Sequence, residues 1–266
     1  MKIGFIGTGN MGGALARAAA KGGHTLLLAN RTPAKAAVLA KELGGTVCPN
    51  AEAAETAELL FLGVKPQGLP GLAEELAPVL QARKGNAPVV VSMATAVTLR
   101  ELDAMLGGGL PLIRIMPNTP AAVGAGTILY AAQNVTDAQL NAFRAVLAQA
   151  GLLLPLPEAQ IDAASAISGC GPAFCFQFAD ALALGGVRAG LSYPDACRLA
   201  AQTMLGAAEM LLQGGEAPDV LKMRVCSPAG TTIEGVLALE QGGFSYTVQN
   251  AVTAACRRTV EMTRKG

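Results

Sequence analysis

At 266 residues, 52% of them apolar and 15% charged, the chain is long enough for one large or two modest domains around a real core. A formal net charge of +1, with no basic block and no aromatic-interleaved Lys/Arg patch, argues against nucleic-acid binding. No uninterrupted apolar run approaches the length of a membrane span, so the apolar excess points to a compact fold with further apolar surface hidden in an oligomer. The six cysteines (48, 170, 175, 197, 226 and 256) form no CxxC pair and have no His at metal-ligand spacing. They read as reduced thiols of a cytoplasmic protein, most of them small core residues, with no metal site. The first strand pattern begins at Lys2, which leaves no stretch for a signal peptide.

Lys2 to Ile6 reads as a short apolar strand, followed at once by Gly7-x-Gly9-x-x-Gly12 and a helical pattern through Ala20. That is the strand, glycine turn and helix of a dinucleotide-binding βαβ unit. Gly7 suits the tight turn, Gly9 lets a pyrophosphate approach the backbone, and Gly12 lets the helix pack on the strand. The phosphates would sit at the helix N-terminus, among free N–H groups. The helix is expected to end at Gly22-Gly23, and Thr25 to Ala29 forms the second strand. An NAD-preferring unit carries Asp or Glu near the end of that strand; here Asn30 and Arg31 stand there, and an Arg suits a 2′-phosphate. NADP is therefore expected over NAD, with Thr32 capping the next helix from Pro33 to Leu43.

Thr46 to Cys48 reads as a third strand and Asn50 as the N-cap of Ala51 to Ala57. Leu59 to Val64 is a continuous apolar run, as in a buried parallel strand, and ends in Lys65-Pro66-Gln67. Pro88 to Ala94 repeats the pattern, and Thr98 with Glu101 makes a capping box for a helix to Leu106. Pro111 to Met116, Gly126 to Ala131 and Leu152 to Leu156 complete the strands, around a helix opened by Thr136 and Gln139. Residues 1–157 thus describe one doubly wound Rossmann domain. From 158 to 266 the pattern becomes all-α, with helical stretches Ile161 to Ile167, Ala173 to Leu184, Pro194 to Leu212 and Ser245 to Lys265. Their stripes are apolar on more than one face, which predicts a homodimerisation domain; a single thick monomeric bundle is the alternative.

Alcohol-oxidising dehydrogenases need a group to take the hydroxyl proton, usually His or Lys. The single His is His24, in a turn, and past residue 157 the lysines are Lys222 and Lys265, neither on the helix entering the second domain. A substrate that arrives protonated, such as an iminium, needs no such base, so the pattern points to imine reduction. Ser227, Gly230, Thr231 and Thr232 lie at the start of the helix Ile233 to Leu239, with Thr231 and Glu234 at capping-box spacing. Free N–H groups and hydroxyls there suit a carboxylate; a well-capped helix and nothing more is the other reading.

The stretch Leu221 to Glu240, with Phe61-Leu-Gly-Val-Lys-Pro66, Met116-Pro-Asn-Thr-Pro120 and Ser168-Gly-Cys-Gly-Pro172, resembles the pyrroline-5-carboxylate reductases over essentially the whole chain. The resemblance implies reduction of 1-pyrroline-5-carboxylate to L-proline with NADPH or NADH, the last step of proline synthesis, by a Rossmann domain and a helical dimerisation domain. Dimers of the family often build larger rings. It implies that Gly7, Thr8, Gly9, Asn10, Met11 and Gly12 line NADP, with Asn30, Arg31, Thr32, Asn50, Val64, Lys65, Pro66, Met93, Ala94 and Thr95. Val225, Ser227, Gly230, Thr231 and Thr232 would hold the substrate, Thr232 hydrogen-bonding the ring nitrogen as the catalytic residue, with Glu158 reaching it from the domain junction. Arg224 stands where some relatives have Asn, and Cys170 where some have Ser. The rival readings are a β-hydroxyacid dehydrogenase or imine reductase on the same layout, and a non-catalytic NADP sensor.

Overall fold

A computed structural model describes residues 1–263 of the chain. It divides into two compact units, one of residues 1–169 with the end of the last helix from Cys256, the other of residues 170–255. The first alternates strand and helix. Its order is β1 Lys2–Ile6, α1 Asn10–Ala20, β2 Thr25–Ala29, α2 Pro33–Leu43, β3 Thr46–Val47 and α3 Asn50–Thr56. There follow β4 Leu59–Leu62, α4 Leu69–Ala82, β5 Val89–Ser92, α5 Leu99–Met105, β6 Leu112–Pro117 and β7 Gly126–Gln133. Then come α6 Asp137–Leu147, β8 Gly151–Pro155 and α7 Glu158–Ser168.

The strands make one eight-stranded sheet in the order β3-β2-β1-β4-β5-β6-β7-β8, parallel except between β6 and β7. Because β1, β4 and β5 are buried on both faces, they are continuous apolar runs rather than alternating ones. One face packs Ile3, Phe5, Phe61, Val91 and Ile113 against α1, α2 and α6, with the Phe5 and Phe61 rings stacked at 4.6 Å. The other packs Ile6, Leu60, Leu62, Val90 and Leu112 against α3, α4 and α5. At the far side Ile161 of α7 is buried with Met116 and Leu129.

Several expectations are corrected. The helix α4 was not anticipated, because Pro70 and Pro78 break the sequence pattern. Pro70 falls in its first turn, where a missing N–H costs nothing, and Leu69, Leu72, Ala73, Leu76 and Leu80 still form a buried helical stripe. α1 ends at Ala20 with Lys21 as its C-cap, and Gly23 (φ +71°) makes the following turn. Thr32 and Pro49, not Asn50, precede α2 and α3, and neither helix has a side-chain cap. Of the cysteines only Cys48 is buried and Cys175 is exposed, so most are not core residues. The capping box expected at Thr98 and Glu101 forms, and Thr136 with Gln139, read as opening α6, makes another. The Glu101 carboxyl is held below its ordinary pKa by the Thr98 backbone and hydroxyl hydrogen bonds.

The second unit contains α8 Gly171–Arg188, α9 Tyr193–Gly214, α10 Pro218–Val225, α11 Thr231–Gln241 and the larger part of α12 Phe244–Thr263. α10 is a further helix that the sequence pattern did not single out. α8 and α9 form an antiparallel pair in which Gly186 lies against Ala196, and Tyr193 donates to Asp180 Oδ1 at 2.8 Å. Its buried apolar residues, among the described ones, are Ala183, Ala196 and Ala200 alone. Phe176, Leu212 and Tyr246 are at least 70% exposed. A helical unit cannot hold its fold on three buried alanines. The helical run Glu158–Arg188 is long and apolar enough on average to cross a membrane, although Gln177 and Asp180 interrupt it.

Candidate functional site

The parallel strands deliver the predicted dinucleotide residues to one edge of the sheet. Gly7 follows β1, Asn30 to Thr32 follow β2, Asn50 opens α3 after β3, Val64 to Pro66 follow β4, and Met93 to Thr95 follow β5. The strand order reverses between β1 and β4, and the crevice at such a switch point is where open α/β sheets bind ligands. There Gly7 (φ +97°) and Gly63 sit back to back, and a Cβ on Gly7 would lie 2.5 Å from the Gly63 carbonyl oxygen. Gly63 is a site-forming residue whose role the sequence left unread.

Each glycine of the turn now has its own reason. A Cβ on Gly12 would stand 2.1 Å from the Gly7 carbonyl oxygen, so only glycine lets α1 start this close to the turn. A Cβ on Gly9 would meet nothing within 4 Å, so the space beside it is open to a ligand. Gly9 is the N-cap of α1 and gives it no side-chain cap, which leaves the first N–H groups of an 11-residue helix for an anion. Thr8 is buried and its Oγ1 has no hydrogen-bond partner. An open face beside Gly9, an uncapped helix start and an orphaned buried hydroxyl together fit a dinucleotide pyrophosphate.

Asn30 turns inward. Its Oδ1 accepts from the Thr8 N–H at 3.2 Å, and its Nδ2 donates to the Thr32 carbonyl at 3.0 Å. It therefore braces the glycine turn against the end of β2. Arg31 is exposed and forms no ion pair among the described residues, so its guanidinium is available to a phosphate. Asn50 donates to Glu75 Oε2 at 3.0 Å. Lys65 is exposed, Val64 and Pro66 are half-buried, and Met93 and Thr95 are half-buried around a buried Ala94.

Beside this edge Glu158, expected to reach the substrate, lies in a charge cluster whose other members, Arg114 and Asp162, the sequence did not single out. Arg114 on β6 is 2% exposed and reaches α7, where Nη2 donates to Asp162 Oδ1 at 2.6 Å and Nη1 to Glu158 Oε1 at 3.4 Å. Glu158 Oε1 also accepts from the Leu99 N–H at 2.7 Å. The signal was a single charge inside the apolar strand Leu112–Pro117, since a buried Arg must be paired. With two carboxylates on one guanidinium, loss of either leaves the buried Arg114 still paired with the other.

In the second unit, the predicted substrate residues run from the end of α10 to the start of α11. Val225 closes α10, and Gly230 donates its N–H to the Ser227 carbonyl at 3.0 Å to close a turn. Ala229 takes a left-handed φ of +55° in this turn. A Cβ on Gly230 would collide with Ser227 Oγ at 2.2 Å, so Gly230 is what brings the serine hydroxyl against the helix start. The expected capping box is corrected: Gly230 is the N-cap, Thr231 and Thr232 are the first helical residues, and no side chain caps α11. The backbone N–H groups of Thr231, Thr232 and Ile233 are left for another acceptor. Arg224 pairs with Glu216 across the preceding helix. Cys170 sits half-buried at the start of α8.

A doubly wound sheet with this turn at its switch point, followed by a separate helical unit, defines a dinucleotide-binding protein of two parts. Comparison with known proteins narrows the class. Residues 158–262 match the family described as pyrroline-5-carboxylate reductase dimerisation, and residues 2–96 match NADP oxidoreductase coenzyme F420-dependent. The pyrroline-5-carboxylate reductase of Synechocystis is 39% identical, over 100% of this chain and 99% of its own. The pyrroline-5-carboxylate reductase structure from Coxiella burnetii aligns with a TM-score of 0.90 at 32% identity, covering 97% of both chains. The Plasmodium falciparum pyrroline carboxylate reductase, solved with NADP bound, aligns with a TM-score of 0.85 at 30% identity over 99% of both chains. The chain belongs to the pyrroline-5-carboxylate reductase family and is an oxidoreductase.

Proposed function

We propose that the chain reduces the C=N bond of 1-pyrroline-5-carboxylate to give L-proline, the final step of proline biosynthesis, with NADPH as donor and NADH as the weaker alternative. The observation that carries this reading is the Ser227–Thr232 loop, an uncapped helix start lined with hydroxyls, in a chain that aligns end to end with reductases of this substrate. NADPH, when bound, supplies the hydride. The glycine turn Gly7 to Gly12 takes the pyrophosphate, Asn30 holds that turn in shape, and Arg31 meets the 2′-phosphate.

The substrate carboxylate accepts from the open N–H groups of Thr231 and Thr232 and from the Ser227 hydroxyl, and no Arg is required. Thr232 Oγ1 hydrogen-bonds the ring nitrogen, accepting from the iminium N–H, and so orients the C=N bond. No strong base is needed, because the imine is the protonated partner and the chain's work is positioning. The wide exposure of α8 to α12 supports a homodimer, or a larger assembly of dimers, in which a second copy covers this apolar surface. Free cysteines support a reducing, cytoplasmic setting. The division after Pro157 is the proposed domain boundary, where the alternating pattern ends.

Arg31→Ala tests the cofactor assignment. The KM for NADPH should rise about tenfold while the KM for NADH stays within about twofold, since NADH lacks the 2′-phosphate. An unchanged ratio removes Arg31 from the 2′-phosphate site.

A further inference from the structure

The turn Met93–Thr98 joins β5 to α5 and contains three of the proposed dinucleotide contacts. Its near end is fixed by the Met93 N–H to the Leu62 carbonyl at 3.3 Å and the Ala94 N–H to Ser92 Oγ at 3.3 Å. In its middle, Ala96 has φ +62°, a left-handed conformation that a non-glycine residue keeps only when its surroundings hold it. At its far end, the bonds between Thr98 and Glu101 are internal to α5, so they shape the helix start without placing it over the sheet. Glu158 supplies the polar tie. Its Oε1 takes the Leu99 N–H at 2.7 Å, and its charge faces Arg114 of β6, which is directly paired in register with Ser92 of β5. Asp162 takes the other arm of the same guanidinium.

We propose that Glu158 is a positioning residue that sets the Met93–Thr95 segment against the bound dinucleotide, with Arg114 and Asp162 as its anchor. This inference rests on the cofactor reading above and assigns Glu158 to the cofactor side of the site rather than to the substrate.

Two conservative variants separate reach from charge. Glu158→Gln keeps an oxygen acceptor for Leu99 at full length and loses the charge. Glu158→Asp keeps the charge before Arg114 but is one methylene too short to span to the Leu99 N–H. Titration of the full chain with NADPH alone, followed by fluorescence, should give a Kd about tenfold weaker in E158D and within about threefold of wild type in E158Q. The KM for 1-pyrroline-5-carboxylate should stay within about twofold in both. Exchange of the Leu99 amide, measured with no ligand present, should rise in E158D and not in E158Q.

Any other order of the two variants overturns the proposal. A raised imine KM with an unmoved NADPH Kd makes Glu158 a substrate contact instead. Equal Leu99 protection in wild type and E158D removes the tie irrespective of what the edge binds. A wild-type chain that binds NADPH without reducing the imine would discard the substrate reading and leave the Kd and exchange arms intact.

Discussion

Thr232→Ala should lower kcat for imine reduction by about a hundredfold with little change in NADPH affinity, whereas Cys170→Ser should leave the rate within about twofold. The difference follows from what each side chain can offer. Thr232 is the second residue of α11, half-buried, in a first turn whose N–H groups no side chain caps. Its hydroxyl is the hydrogen-bond partner that orients the ring nitrogen, and removing it leaves the carboxylate held but the C=N bond free to turn. Cys170 sits at the start of a different helix, and no hydrogen bond among the described residues supplies it a base. Its replacement by Ser changes little beyond one polarisable atom. Equal losses in the two variants would sink the role given to Thr232.

Gly9→Ala and Gly12→Ala should fail in different ways. Gly9 has an ordinary backbone (φ −71°, ψ −165°), and its Cβ would meet no protein atom within 4 Å. The variant should therefore fold as the wild type, with Tm within about 2 °C, yet bind NADPH about a hundredfold more weakly because the methyl group takes the pyrophosphate's place. Gly12→Ala puts its methyl group 2.1 Å from the Gly7 carbonyl oxygen, which is backbone and cannot swing aside. α1 must lift off the turn, so Tm should fall by about 5 °C or more together with NADPH affinity. Thermal melts with and without NADPH separate the two. A Gly9→Ala chain that binds NADPH normally would place the pyrophosphate elsewhere.

Those glycines were legible in the sequence because a strand, a turn and a helix of the right period surround them. The strand alternation up to β8 was legible for the same reason: apolar runs of four to six residues separated by helical patterns have few other uses. Elsewhere local signals misled. Thr231 and Glu234 have capping-box spacing, yet the Ser227 to Gly230 turn, with Ala229 left-handed, carries Gly230 into the cap position in an extended conformation (φ −83°). Two prolines hid α4, whose buried stripe spans Leu69 to Leu80. Asn30 was read as a cofactor neighbour from its place after β2; that its two side-chain atoms tie Thr8 to Thr32 is a tertiary fact with no periodic trace. Arg114 was visible as a lone charge in an apolar strand, but Asp162, 48 residues on, could be matched to it only once β6 and α7 lay together. Pattern carries the period of an element and its faces; it does not carry which polar groups meet across the fold.

The central claim is tested most directly by adding 1-pyrroline-5-carboxylate to the purified chain with NADPH, following the loss of NADPH absorbance and identifying the product. The account predicts rapid oxidation of NADPH, one equivalent for each L-proline formed, and slower turnover with NADH. Tight NADPH binding with no imine-dependent oxidation would contradict it, and would leave the glycine turn as a dinucleotide site whose substrate is not this imine.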